Sequence, residues 1–220
     1  MTTVAGDDPS RDHRGHGSRL VIGVTGHRDI AVDDERLRTT VVRELERLQR
    51  AAPDRRAVVL SCLAEGADRL VARLAIDHLD AELVAVLPMP PREYRRDFRS
   101  AASRRDFDAL LEAASRRVTV DDLDVRVEES HEGQRARRYA LAGAWLVERS
   151  NVLVAIWDGK PARGVGGTAQ IVRWMISGTI PRRYSPRALG DGPPSSPAPG
   201  RVLHIDPGTY QVAYLGGAPD

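Results

Sequence analysis

Three glycines followed by a threonine have the spacing of a loop that binds an anion. Gly164, Gly166 and Gly167 lie between the apolar run 152–157 and a predicted helix that begins at Thr168. Glycine lacks the β-carbon that would hold a ligand away from the backbone. The first N–H groups of a helix have no intrahelical partner, and they lie at the positive end of its dipole. The pattern predicts a site for phosphate, and so a phosphorylated, nucleotide-like ligand, although a flexible strand-to-helix connection has the same glycine pattern.

Two earlier segments repeat the order of apolar strand, polar loop and helix. The first follows the strand at 19–25 and the second follows the strand at 56–60. Their candidate ligand-binding residues are Gly26, His27 and Arg28 in the first loop and Ser61, Glu65 and Gly66 in the second. Because the carboxyl ends of parallel strands share one edge of a sheet, we expect all three loops to converge there.

The side chains of these loops have more than one interpretation. Arg28 pairs as readily with a surface carboxylate as with a phosphate. Glu65 is the carboxylate best placed to accept hydrogen bonds from ribose hydroxyls, and Asp158, at the end of a strand, is suited either to a ribose hydroxyl or to orienting the glycine loop. Tyr94, beside a proline-rich loop, is a candidate for stacking on a base. No second His or Cys lies at ligand spacing from His27, so we expect no metal site.

The elements that must position these residues alternate between strand and helix. The predicted strands are 19–25, 56–60, 82–87 and 151–157, with a candidate short strand at 124–127; the predicted helices are 33–50, 66–79, 97–115, 132–148 and 168–178. This alternation predicts an α/β, Rossmann-like, doubly wound and mainly parallel sheet with helices on both faces. Residues 1–18 are predicted to be a disordered tail, 19–180 the ligand-binding domain, and 181–220 a Pro/Gly/Ser-rich linker and tail. Residues 201–205 form either a last strand or a tail ordered by a partner.

Length and composition narrow the class of protein. A chain of 220 residues with 41% hydrophobic content is long enough for one substantial core. The single Cys62 excludes an intrachain disulfide, and no apolar stretch is long enough for a membrane span, so a cytoplasmic location is expected. The formal net charge is only +2, and arginines alternate with acids, so nucleic-acid binding is disfavoured.

Four motifs in this order resemble the SLOG superfamily, whose relatives include the Rossmann domain of DNA-processing protein A and the Lonely-guy phosphoribohydrolases. The motifs are GVTGHRD at 23–29, SCLAEGADR at 61–69, LPMPPREYRRDF at 87–98 and WDGKPARGVGGTAQIV at 157–172. The resemblance implies a Rossmann-like pocket for a nucleotide or a nucleotide-derived metabolite such as ADP-ribose or a cyclic nucleotide. It also implies a module of a bacterial defence or signalling system. Because the chain shows no obvious output unit, we expect it to act through a homo-oligomer or a separate effector. No further cofactor is implied.

The helix after the glycine loop bears on catalysis. Lonely-guy enzymes have a glutamate there that assists N-glycosidic cleavage, whereas this chain has Gln170 and Ile171. An amide neither takes up a proton as a general base nor stabilises an oxocarbenium ion by charge. Binding or sensing is therefore favoured. Glu65 and Asp158 remain candidate catalytic carboxylates, and nucleoside deoxyribosyltransferases, which share a DG pair at a strand end, keep cleavage or transfer as the alternative.

Overall fold

The strands form one seven-stranded sheet in a computed structural model that describes residues 19–120, 131–161, 164–184 and 200–217. The strands are β1 (Arg19–Gly26), β2 (Arg56–Ser61), β3 (Glu82–Leu87), β4 (Arg116–Thr119), β5 (Val152–Ile156), β6 (Arg201–Ile205) and β7 (Val212–Leu215), in the order β4-β3-β2-β1-β5-β6-β7. All neighbouring pairs are parallel except β6 and β7, which are antiparallel. The predicted fold class is confirmed.

Helices cover both faces of the sheet because the central strands are apolar on both sides. The helices are α1 (Glu35–Arg50), α2 (Ala67–Leu79), α3 (Pro91–Tyr94), α4 (Ala101–Ala113), α5 (His131–Arg149) and α6 (Thr168–Ser177). Alternate residues of β1 enter two separate cores: Ile22 packs with α1, α2 and α4, and Val21 packs with α5 and α6. Burial on both faces is the reason that these strands read as continuous apolar runs.

The strand order reverses between β1 and β5. The chain winds from β1 outward through β2, β3 and β4, then returns to pair β5 with the other side of β1. The two strands end level, since Gly26 of β1 is opposite Ile156 of β5. Loops that leave neighbouring strands on opposite faces open a crevice at such a reversal, where ligands of doubly wound folds bind.

Several predicted boundaries move once the packing is known. The helix predicted at 97–115 begins at Ala101 and ends at Ala113, because the Ser100 hydroxyl caps it by accepting from the Ser103 amide. The predicted proline-rich loop 88–94 contains the short helix α3, which starts at Pro91, a residue well suited to the first turn. Strand β4 was missed by the sequence pattern, and the candidate strand 124–127 lies outside the described residues.

The sheet continues into the C-terminal region. Residues 201–205 are a strand, β6, and its Val202, Leu203 and Ile205 are fully buried. β7 then turns back along β6, so part of the range 181–220 belongs to the sheet. Residues 1–18 lie outside the described part of the chain. Among the described helices, none combines the length and the apolar character needed to cross a bilayer.

A candidate ligand-binding cavity at the strand reversal

A cavity of about 640 Å³ opens where β1 and β5 end. Its volume lies within the range of small-molecule sites. Nine of the twelve predicted ligand-binding residues line it: Gly26, His27, Arg28, Tyr94, Asp158, Gly164, Gly166, Gly167 and Thr168. The sequence therefore identified the two loops that form most of the cavity.

The glycine loop is held in shape by packing and by one side-chain cap. Gly166 has a φ of +80°, and a β-carbon there would lie 2.8 Å from the Tyr139 β-carbon and 2.9 Å from the Ala140 amide nitrogen. Its N–H donates to the Gln170 side-chain oxygen at 2.7 Å. Gln170 thus fixes the loop and is not among the residues that line the cavity.

The amino end of α6 leaves backbone donors at the cavity wall. Gly167 is the N-cap and has no side chain to accept from the first turn. The N–H groups of Gln170 and Ile171 are both satisfied by the Gly167 carbonyl. For the Thr168 and Ala169 amides, no acceptor is found among the described residues, and both residues line the cavity. Two amides at a helix amino end are suited to an anion.

Arg28, which also lines the cavity, is oriented by a chain of hydrogen bonds. Its guanidinium donates to the Tyr139 hydroxyl at 3.0 Å, and that hydroxyl in turn donates to Asp97. Arg135 also donates to Asp97. Burial and the hydrogen bond to Asp97 raise the pKa of Tyr139 to about 12, so its hydroxyl stays protonated at neutral pH. Arg28 is therefore a positioned cation.

Asp158 at the end of β5 pairs with two basic side chains. The His27 Nε2 lies 3.5 Å from one carboxylate oxygen, and the Lys160 Nζ lies 3.0 Å from the other. The hydrogen bond from Lys160 lowers the pKa of Asp158, so the group is a carboxylate at neutral pH. The pair with His27 ties together the β1 and β5 loops across the reversal. Asp158 therefore contacts His27 and Lys160, and its predicted role, either at a ribose hydroxyl or in orienting the glycine loop, stays a prediction.

The predicted residues of the second loop lie outside the cavity lining, although Cys62 and Ala64 of the same loop belong to it. The Ser61 hydroxyl is fully buried, where it donates to the Asp68 carbonyl and accepts from the Leu63 amide. The Glu65 carboxylate accepts from the Ser103 hydroxyl and from the Arg99 amide at 3.1 Å. Neither Ser61 nor Glu65 lines the cavity. Both side chains make structural contacts in this arrangement.

Gly66 also serves packing, because the backbone of the first loop covers it. A β-carbon on Gly66 would lie 2.4 Å from the carbonyl oxygens of both His27 and Arg28, and its φ is +79°. The Ala67 amide at the start of α2 donates to the His27 carbonyl at 3.1 Å. The amino end of α2 therefore binds the β1 loop, whereas the amino end of α6 faces the cavity.

Tyr94 lines the cavity in a way that excludes base stacking. Its ring is fully buried and contacts the rings of Phe98, Phe107 and Tyr139 at centroid distances of 4.9, 5.6 and 6.0 Å. The predicted stacking role is thus contradicted, since the ring belongs to the core. The hydroxyl, by contrast, is buried with no hydrogen-bond partner among the described residues.

Asp68 is the main residue of the cavity that the sequence did not identify. An acid in the first turn of a helix is ordinarily an exposed charge that favours the helix dipole, but only 5% of Asp68 is accessible, and it lines the cavity beside Cys62. Burial raises the pKa of Asp68 to about 7, even though a hydrogen bond from the Ala64 amide and the charges of Arg28 and Arg69 favour the carboxylate. Lys160 and Tyr139 are further lining residues outside the predicted set. Only the tertiary packing distinguishes Asp68 from an ordinary helix-start acid.

In the four described ranges, no three His, Cys, Asp or Glu side chains come close enough together to hold a metal ion. In comparisons with known proteins, no protein-family model matches this chain, and no curated protein matches it.

Proposed function

We propose that this protein binds a nucleotide or nucleotide-derived metabolite in the cavity between β1 and β5. The observation that carries the proposal is the position of the Thr168 and Ala169 amides, which no acceptor in the described ranges engages, at the strand reversal and in a cavity that the positioned Arg28 also lines. Two amide donors and a guanidinium in one cavity suit a phosphate group, and the remaining volume suits a sugar and base.

The four sequence motifs support a SLOG-type module for this binding function, with the ligand acting as a signal. Gln170 supports binding over cleavage by the Lonely-guy mechanism, because its amide is committed to the Gly166 N–H. Glu65, one of the two candidate catalytic carboxylates, is committed to Ser103 and Arg99 outside the cavity. We propose that the binding event is read by a second copy or by a separate effector, as in signalling and defence systems.

One observation favours an N-glycoside hydrolase or transferase as the alternative. Two carboxyl groups with different pKa values line the cavity. The pKa of Asp158 is lowered, and that of Asp68 is raised to about 7. Such a pair is the usual basis for nucleophile and general-acid roles at a glycosidic bond. Release of free base from nucleoside monophosphates by the wild type, lost in Asp158→Asn, would favour this alternative.

Titration calorimetry tests the binding function. ADP-ribose, NAD, cyclic dinucleotides and nucleoside monophosphates are titrated into the wild type and into Gly167→Val, whose branched side chain would stand at the N-cap among the donor amides. We expect binding by the wild type and its loss in Gly167→Val, because the phosphate can no longer reach the backbone.

Gly208→Val is the matched control. Gly208 lies in the β6–β7 turn, outside the cavity lining, and a β-carbon added there would meet only the Asp206 carboxylate, at 3.5 Å. This variant should bind like the wild type. Equal affinities of the wild type and Gly167→Val for every nucleotide would place the site elsewhere, and native mass spectrometry of the purified protein would identify any nucleotide that it retains.

A further inference from the structure

We propose that the inner end of the cavity, formed by the Tyr94 hydroxyl and the Asp68 carboxyl, binds the vicinal hydroxyls of a ribose. The phosphate of the same ligand then lies at the amino end of α6. This inference rests on the proposed function, and it gives the ligand an orientation and a chemical class: a phosphorylated ribose with both the 2′ and 3′ hydroxyls free.

The Tyr94 hydroxyl is the first observation. It is buried, it has no hydrogen-bond partner among the described residues, and its ring is locked by three aromatic neighbours. Its electrostatic neighbours are Asp68, Cys62, Arg28 and Tyr139, all of which line the cavity. The hydroxyl end therefore points toward the cavity, where a polar ligand group would satisfy it. An unpaired buried hydroxyl destabilises a folded protein, so such groups normally have a partner.

Asp68 is the second observation, and it comes from a different element. One carboxyl oxygen, Oδ2, accepts from the Ala64 amide at 3.3 Å, and no hydrogen bond within the described residues engages the other oxygen. With its pKa at about 7, the group exists both as carboxyl and as carboxylate at neutral pH. It therefore accepts from, and in its protonated form also donates to, a neutral hydroxyl.

The chemistry of this end selects hydroxyls over the other parts of a nucleotide. A phosphate is disfavoured, because any negative charge on Asp68 repels it. Base stacking is disfavoured, because the Tyr94 ring is fully buried among aromatic neighbours. A vicinal diol offers two donors and two acceptors on adjacent carbons, which matches one tyrosine hydroxyl and one carboxyl.

The test compares two probes that differ only in these hydroxyls, AMP and 2′,3′-dideoxyadenosine 5′-monophosphate. Calorimetry at pH 7 measures both against the wild type, Tyr94→Phe and Asp68→Asn. We expect the wild type to prefer AMP about tenfold or more, since loss of the diol leaves buried polar groups unpaired. Tyr94→Phe should weaken AMP binding by about the same factor and change the dideoxy affinity little.

Stability of the free protein separates this role from a structural one. Because no described residue pairs with the hydroxyl, Tyr94→Phe should melt at the same temperature as the wild type or higher, while its affinity for AMP falls. Tyr184→Phe, at a buried tyrosine on the other face that packs against Trp174, is the matched control and should leave AMP binding unchanged. If Asp68→Asn does not fold, Tyr94→Phe alone carries the test.

Three results would overturn the inference. These are equal wild-type affinities for the two probes, an equal loss of both affinities in Tyr94→Phe, and no AMP binding by the wild type. If ADP-ribose, NAD and the cyclic dinucleotides bind in that last case, the proposed function stands and only the ribose assignment fails. If none of them binds, the proposed function fails as well.

Discussion

At the scale of single residues, burial decides what a side chain does in this protein. Asp68 and Glu65 are both acids near the start of α2, and from sequence Glu65 is the better ligand candidate. In the structure Glu65 makes hydrogen bonds outside the cavity, whereas Asp68 is enclosed beside Cys62, Tyr94, Arg28 and Arg69. The two acids differ in this way because the start of α2 directs them to different sides.

The buried carboxyl of Asp68 makes folding stability depend on pH. Its pKa is about 7 in the folded protein against an ordinary 3.8, so the native state holds a proton that the unfolded state has released between these two values. Stability should therefore fall as pH rises from 4 to 7 and stay low above 7. Asp68→Asn keeps an acceptor for the Ala64 amide but carries no charge. At pH 8 it should raise the melting temperature and increase the free energy of unfolding by an amount on the order of a few kcal/mol.

Thermal melts of the wild type and Asp68→Asn at pH 5, 6, 7 and 8 check this. The difference in melting temperature between Asp68→Asn and the wild type should shrink toward pH 5. A difference in melting temperature that is the same at every pH would mean that Asp68 does not titrate in this range.

Gly166 and Gly164 provide a matched pair within one loop. Gly166→Ala should destabilise the protein by about 1–3 kcal/mol or more, because the new β-carbon meets Tyr139 and the backbone of α5, at a positive φ that disfavours alanine. A β-carbon on Gly164 meets nothing within 4 Å. Gly164→Ala should therefore keep wild-type stability in urea unfolding, and equal loss in both variants would contradict the packing of the loop on α5.

At the scale of elements, the two helices that begin near the cavity differ in what satisfies their amino ends. The first turn of α2 donates to the His27 carbonyl, whereas the Thr168 and Ala169 amides of α6 have no acceptor among the described residues. The same strand-loop-helix pattern thus serves packing in one case and, as we propose, ligand binding in the other. The difference arises because β1 is central and its loop folds over α2.

Gln170 holds the glycine loop through a neutral side chain, because its amide oxygen accepts from the Gly166 N–H. Gln170→Glu retains an acceptor for the Gly166 amide but places a negative charge in the first turn of α6, so we expect weaker binding of nucleoside monophosphates, by about 3- to 30-fold. Calorimetry at two salt concentrations checks this, since the loss should diminish at high salt. Gln170→Leu, which removes the acceptor without adding charge, is the comparison; tighter binding by Gln170→Glu would contradict this arrangement.

At the scale of the whole molecule, the C-terminal strands complete the sheet and support the cavity. β6 covers the free edge of β5, and the His204 ring shares a hydrogen bond with the Trp157 carbonyl at 2.9 Å beside the cavity loop. β7 adds contacts of its own, from Tyr214 to Glu44 and, through the turn, from Tyr210 to Asp34. The edge of the sheet is therefore fastened to α1.

Truncation separates the contributions of the two strands. A chain that ends at residue 206 retains β6 and should fold with reduced stability, because it loses an edge strand whose Val212 and Leu215 are only partly buried, together with two tyrosine hydrogen bonds. A chain that ends at residue 184 should fail to fold, since it loses the buried Val202, Leu203 and Ile205. Circular dichroism and thermal melts measure both, and a stable fold for the shorter chain would show that β6 is dispensable.

The sequence by itself determined the α/β class, the parallel direction of the main strands and the two loops that form most of the cavity. It succeeded there because apolar runs, glycines and helix starts are local signals. It missed β4 and β7, which are short edge strands whose pairing depends on neighbours far along the chain. Residues 201–205 fitted either a strand or a tail for the same reason.

Tertiary structure alone decided which side chains face the cavity. The predicted residues of the β1 and β2 loops occupy the same place at the end of a strand. Gly26, His27 and Arg28 of the β1 loop line the cavity, whereas Ser61, Glu65 and Gly66 do not. The β1 loop covers Gly66 instead. Tyr94 is a stacking candidate by sequence, but its ring lies in the core, and its hydroxyl has no partner among the described residues. Asp68 has the position of an exposed helix-start acid, but it is buried. The physical reason is that local sequence fixes where a strand ends and a helix begins, whereas the burial and protonation of a side chain depend on the elements packed around it.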